Sequence, residues 1–185
     1  NFKLKVGSNF KLIVDLNVEF NVDVKVDYTS SGVITLTDRP ILSKDQIVIM
    51  PTTNSAYGTG DKDNFCTEES PLRPISQYAI EKVEIEKQLM VRSNSISFRL
   101  ATVFGVSPRP RFDLVVNTFA RNAYFDGGIT VYGGNQWRPF IHCKDVAKAF
   151  YLAATADTSI TDRQVYNVGS SQLNYQLKDI GQLIK

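Results

Sequence analysis

Tyr78 and Lys82 stand four residues apart in Tyr78-Ala79-Ile80-Glu81-Lys82, and on a helix that spacing sets phenol and ammonium on one face. The pairing has a chemical use. A free phenol has a pKa of ~10 and is a poor base near neutrality, whereas a fixed cation beside it stabilises the phenolate and brings proton transfer within reach. Alone, a Tyr-x-x-x-Lys is more often an ordinary surface pair on a helix. Upstream lies the small-hydroxyl run Pro51-Thr52-Thr53-Asn54-Ser55-Ala56-Tyr57-Gly58, just after a strand expected at 46–50. Ligands of open α/β sheets bind at such carboxyl ends of strands. Thr53 there either holds a substrate hydroxyl or carbonyl, or joins Thr52 in satisfying the backbone of a turn.

The elements that would position these residues can be read from pattern. A helix is expected over 76–92: Pro71 and Pro74 disfavour helix upstream, Ser76 can cap it, and Glu81 and Glu84 sit early, where the helix dipole favours anions. Further on, the chain reads as a strand over 96–102, a helix over 113–124, short strands over 129–132 and 138–142, a helix over 144–154, a strand over 165–168 and a final helix running to Lys185. Strands alternating with helices predict an α/β fold with a parallel sheet covered on both faces. Before residue 42 the texture differs. Residues 10–28 alternate with unusual regularity, with Val14, Leu16, Val18, Phe20, Val22, Val24, Val26 and Tyr28 interleaved with polar residues, the period of a half-buried strand. A boundary near residue 42 therefore separates a strand-rich segment, 1–42, from an α/β segment, 43–185.

Composition narrows the classes. The chain has 185 residues, 43% hydrophobic and 22% charged, with a net charge of +2 and scattered basic residues. That suits a globular protein whose partner is neither nucleic acid nor membrane. Cys66 and Cys143 lie far apart and His142 is the single histidine, so a reducing cytoplasm and no structural metal are expected. No apolar run approaches the ~20 residues of a membrane helix, and the start lacks a signal-peptide layout. A serine hydrolase is disfavoured, since no Gly-x-Ser-x-Gly elbow occurs.

Several blocks together carry a resemblance. Thr52-Thr53-Asn54-Ser55-Ala56-Tyr57-Gly58, Thr67-Glu68-Glu69-Ser70-Pro71 and Gln77-Tyr78-Ala79-Ile80-Glu81-Lys82 are followed by Arg99-Leu100-Ala101-Thr102-Val103-Phe104-Gly105. Then come Arg138-Pro139-Phe140-Ile141-His142-Cys143-Lys144-Asp145-Val146-Ala147 and Val165-Tyr166-Asn167-Val168-Gly169. In order and spacing this series is similar to the extended short-chain dehydrogenase/reductase family, in its NAD-dependent sugar-nucleotide epimerase and dehydratase branch. The resemblance runs from about residue 43 to the end. It implies a partial Rossmann-like parallel sheet with flanking helices, plus part of the small substrate-binding region.

By that resemblance Tyr78 is the acid/base, Lys82 orients the nicotinamide ribose and lowers the tyrosine pKa, and Thr53 binds the reacting sugar hydroxyl. Ala101 lines the nicotinamide, while Asn117 and Arg138 contact the nucleotide diphosphate, for which the planar arginine fork is suited. From the residues alone, Arg138 has the alternative reading of a solvated strand-end charge, and Asn117 that of a helix cap. His142 and Asp145 read as architecture, Asp145 as a cap. NAD is the implied cofactor, with NADP left open, a nucleotide sugar the implied substrate, and a homodimer the family expectation.

The family's Gly-x-x-Gly-x-x-Gly, which sets the dinucleotide pyrophosphate against a helix end, does not occur. The first 42 residues contain only Gly7 and Gly32. Thr102 and Phe104 also stand where many relatives have asparagine and tyrosine. The expectation is therefore an incomplete chain of an NAD-dependent sugar-nucleotide epimerase or dehydratase. The alternatives are a nucleotide-sugar-binding module and a non-catalytic remnant without the cofactor-binding half.

Overall fold

Strand alternation decides how the central part of the chain is buried. The computed structural model describes residues 26–28, 34–36, 46–59 and 65–184. Most of the alternating stretch and the expected boundary near 42 lie outside these. What is described there is an antiparallel pair, β1 (Val26–Tyr28) and β2 (Ile34–Leu36), in the register Val26↔Leu36 and Tyr28↔Ile34. Two units divide the chain, Asn1–Arg99 with Phe150–Asn167, and Leu100–Ala149 with Val168–Lys185.

In the first unit β3 (Val48–Thr53) is followed by a single 3-10 turn, Asn54–Tyr57, then by α1 (Gln77–Leu89) and β4 (Ser95–Leu100). The Val48 N–H donates to the Asn94 carbonyl where β3 and β4 both begin, 2.8 Å away, so the two strands run the same way. That direction requires a crossover, and α1 supplies it. Along β4, Ser95, Ser97 and Arg99 point to one face, while Ile96 and Phe98 point to the other. Ser97 and Arg99 meet α1 through Glu86. Phe98 packs edge to face on Phe150 at 5.2 Å, and Phe150 belongs to α3 (Cys143–Thr155). Both faces of β4 are thus covered, and Ser95 to Arg99 are all buried. β7 (Gln164–Val168) completes the order β3-β4-β7.

In the second unit β5 (Thr102–Phe104) lies parallel to β6 (Trp137–His142), with Thr102 opposite Phe140 and Phe104 opposite His142. β8 (Asn174–Gln176) adds to β6 in the antiparallel sense, Arg138 opposite Tyr175. Phe119 of α2 (Val115–Phe125), Phe140 of β6 and Ile180 of α4 (Leu177–Ile184) form the core of this unit. Burying these apolar faces is the main stabilising term.

The α/β class, the parallel strands and the four helices stand as expected, and several details do not. β3 runs on to Thr53, so Thr52 and Thr53 end the strand instead of following it. Residues 129–132 form no strand, and β8, ahead of the last helix, was unforeseen. The stretch 96–102 is broken at Ala101. α1 has no acidic residue in its first turn: Glu81 lies beyond it, so the dipole adds nothing to its start, which is held by Ser76. The Ser76 hydroxyl accepts the Ala79 N–H at 3.2 Å.

Candidate active site

α1 carries Tyr78, Lys82 and Glu86 at successive i, i+4 positions, one row along the helix. Exposure falls steeply along that row: Tyr78 is 55% exposed, Lys82 half-buried and Glu86 5% exposed. The Lys82 ammonium lies 5.9 Å from the centre of the Tyr78 ring and donates to the Pro51 carbonyl on β3 at 3.4 Å. Burial lowers the Lys82 pKa below its ordinary value, since the charged form is the one that loses hydration. The expected pairing is thus present, with the phenol reaching solvent and the cation behind it.

Thr53 ends β3 in a buried position, and its Oγ1 accepts the Ser55 N–H at 3.1 Å as cap of the 3-10 turn. Its hydroxyl proton is not consumed by that bond. Thr53 therefore satisfies the backbone of the turn and does so as an acceptor, not as a donor. Gly58 closes the turn at φ +67, where an added Cβ would lie 2.2 Å from the Arg73 carbonyl oxygen. Only glycine fits there.

Behind Thr53 and Lys82 lies a polar cluster that the sequence reading missed. Both Glu86 oxygens accept from the Arg99 guanidinium, Nε at 3.1 and 3.2 Å and Nη2 at 2.5 Å. Glu86 also accepts from the Ser97 hydroxyl at 2.6 Å, and the Thr52 hydroxyl lies 3.3 Å from it. Arg99 Nη1 donates to the Tyr57 hydroxyl at 2.8 Å and to the Glu68 carbonyl at 3.0 Å. Tyr57 in turn donates to Asn167 Oδ1 at 2.6 Å. Burial raises the Tyr57 pKa although Arg99 opposes the change. For Arg99, burial works against the cation, but Glu86 and Tyr57 outweigh it and hold its pKa above the ordinary arginine value. The available signal was Glu86 one turn after Lys82, facing a strand whose polar residues, Ser95, Ser97 and Arg99, alternate.

Ala101, Asn117 and Arg138 belong to the second unit. Ala101 is buried between β4 and β5, its N–H donating to the Val168 carbonyl at 2.9 Å. An added Cβ on Gly169 would come within 3.2 Å of its methyl group, so both positions call for small residues. Asn117 does not cap α2; the N-cap is Leu114, without a side-chain bond. Instead its Nδ2 donates to the Arg111 carbonyl at 3.1 Å and its Oδ1 accepts the Gly105 N–H at 3.5 Å, holding the loop ahead of the helix. Arg138 is exposed on β6. Asp145 lies inside the first turn of α3 instead of capping it, and His142 Nδ1 accepts the Lys144 N–H at 3.2 Å.

Residues 38–169 match the model of the NAD dependent epimerase/dehydratase family. An uncharacterized protein of Methanocaldococcus jannaschii is 30% identical over 131 residues, 68% of this chain and 39% of that protein. Among solved structures, the chain is similar to the dTDP-glucose 4,6-dehydratase of Bacillus anthracis in complex with NAD. There the TM-score is 0.67 and the identity 20%, over 76% of this chain and 45% of that one. It is also similar to the UDP-glucose 4-epimerase of Thermotoga maritima with UDP-glucose, with a TM-score of 0.65 and 25% identity over 74% and 45%. The chain thus spans less than half the length of the relatives it matches.

Proposed function

Because the chain belongs to the NAD dependent epimerase/dehydratase family, we propose that it carries the proton-transfer half of a nucleotide-sugar epimerase or dehydratase that uses NAD. The observation that supports this is the Tyr78–Lys82 pair, an exposed phenol with a half-buried ammonium 5.9 Å from its ring. A nicotinamide ribose fits beside such a pair, since Lys82 keeps donors beyond the one given to Pro51. For the pyrophosphate these 185 residues hold no Gly-x-x-Gly-x-x-Gly turn. When bound, NAD supplies the acceptor and donor of hydride.

The protein's own residues handle the proton. Tyr78 takes it from the sugar hydroxyl as that carbon is oxidised and gives it back on reduction. Lys82 stabilises the phenolate that takes the proton and that is left again once the proton is returned. Thr53 donates its free hydroxyl proton to the reacting sugar oxygen, and Ala101 leaves room against the nicotinamide face. Asn117 and Arg138 take the nucleotide diphosphate, Arg138 through paired N–H donors.

Conversion of UDP-glucose in the presence of NAD tests this reading. Tyr78→Phe should lower turnover by about 10² to 10⁴, the usual contribution of general acid–base catalysis, and equal turnover in both proteins would sink it. A second reading, a nucleotide-sugar-binding module, draws on the exposed Arg138. It expects UDP- or TDP-sugars to raise thermal stability and Arg138→Ala to abolish that rise, with no turnover in either protein.

A further inference from the structure

We propose that the buried Glu86–Arg99 pair is a positioning device that holds Lys82 and Tyr78 in register with the end of β3. The inference deepens the function proposed above and rests on it for its catalytic meaning. Both side chains are only 6% exposed. A buried ion pair is a poor source of stability, because desolvation of the two ions offsets their attraction; its bonds are nevertheless directional. Those bonds converge on the parts that carry the site. Glu86 follows Lys82 by one turn, so any slide or rotation of α1 moves the two together. Lys82 holds the Pro51 carbonyl while Glu86 faces the hydroxyl of the next residue, Thr52. α1 thereby grips two adjacent residues of β3 immediately before Thr53.

Arg99 extends the grip to the other side. Its fork reaches Glu86 through Nε and Nη2, and reaches Tyr57 and the Glu68 carbonyl through Nη1. The turn after Thr53 and the loop leading to α1 are tied to the same guanidinium. A lysine has neither the planar fork nor the number of donors to replace it. Glu86 and Arg99 are positioning residues; neither touches the reacting atoms.

NMR titration of the Lys82 side chain in the full chain, with labelled lysine and no cofactor, reads the geometry directly. Because burial disfavours its charged form, Lys82 should titrate below free lysine in the wild type. The double variant Glu86→Leu/Arg99→Met fills the volume with apolar side chains and should keep the melting temperature, while the Lys82 midpoint rises towards that of free lysine as the ammonium leaves its seat. Thr52→Val should shift it in the same direction. The double variant removes one charge of each sign and Thr52→Val removes none, so the rise reports displacement. As a control, Phe98→Leu, on the opposite face of β4, should lower the melting temperature and leave the midpoint unchanged. A wild-type midpoint in either folded variant overturns the proposal, as does loss of the fold in the double variant or an equal rise in Phe98→Leu. A chain that bound no cofactor would count against the proposed function and leave this result standing.

Discussion

Tyr78 and Lys82 differ in exposure, one facing solvent and the other half-buried. The phenol is open to solvent, whereas the ammonium is seated against Pro51 and pays for it in hydration, with its pKa lowered by burial. A lysine whose folded pKa lies below its unfolded value binds fewer protons folded than unfolded between the two values. Stability therefore rises with pH across that window, and below it the buried cation costs stability. Lys82→Met should accordingly raise the melting temperature at neutral pH. That advantage over the wild type should shrink as pH climbs to the ordinary lysine range, measured by thermal denaturation at a series of pH values. The pair was legible because two residue types at a helical spacing suffice to suggest it. Glu86 was not, since a glutamate on a helix reads as solvated until a buried partner such as Arg99 is seen. Glu86→Ala alone should cost about 3–5 kcal/mol in urea denaturation, because it strands the Arg99 charge.

At the scale of elements, the start of α1 rests on one hydroxyl. Ser76→Ala removes the bond from the Ala79 N–H and should cost about 1 kcal/mol in urea denaturation. Gly58→Ala meets both a positive φ and the Arg73 carbonyl, and should cost about 1–3 kcal/mol, more if the turn cannot shift. α1 was legible from its Ser76 cap and the prolines before it, whereas the caps read for the next two helices were not found. β5 and β8 were harder to read, each being three residues long, too short for a period-2 pattern to register. The buried strand β4 hid its role in another way. Ser95-Ile96-Ser97-Phe98-Arg99 has the alternation of a strand with one wet face, yet its polar face is dry because Glu86 and Thr52 satisfy it. Pattern shows which residues share a face, and only packing shows what that face meets.

For the whole molecule, the α/β class and the family were legible from short blocks in register, since the blocks mark strand ends and the helix that follows them. The proposed roles of Asn117 and Arg138 were not fixed in this way. Asn117 turned out to hold the loop at Gly105 and Arg111, a task that spacing does not specify. Among the described residues no helix is long and apolar enough to cross a membrane. The central claim is that Tyr78 and Lys82 serve a nicotinamide cofactor, and titration of the chain with NADH, followed by nicotinamide fluorescence, tests it most directly. The account predicts saturable binding that Lys82→Met weakens by about tenfold or more, as expected for a lost charge-assisted hydrogen bond; no saturation, or equal binding by wild type and Lys82→Met, would contradict it.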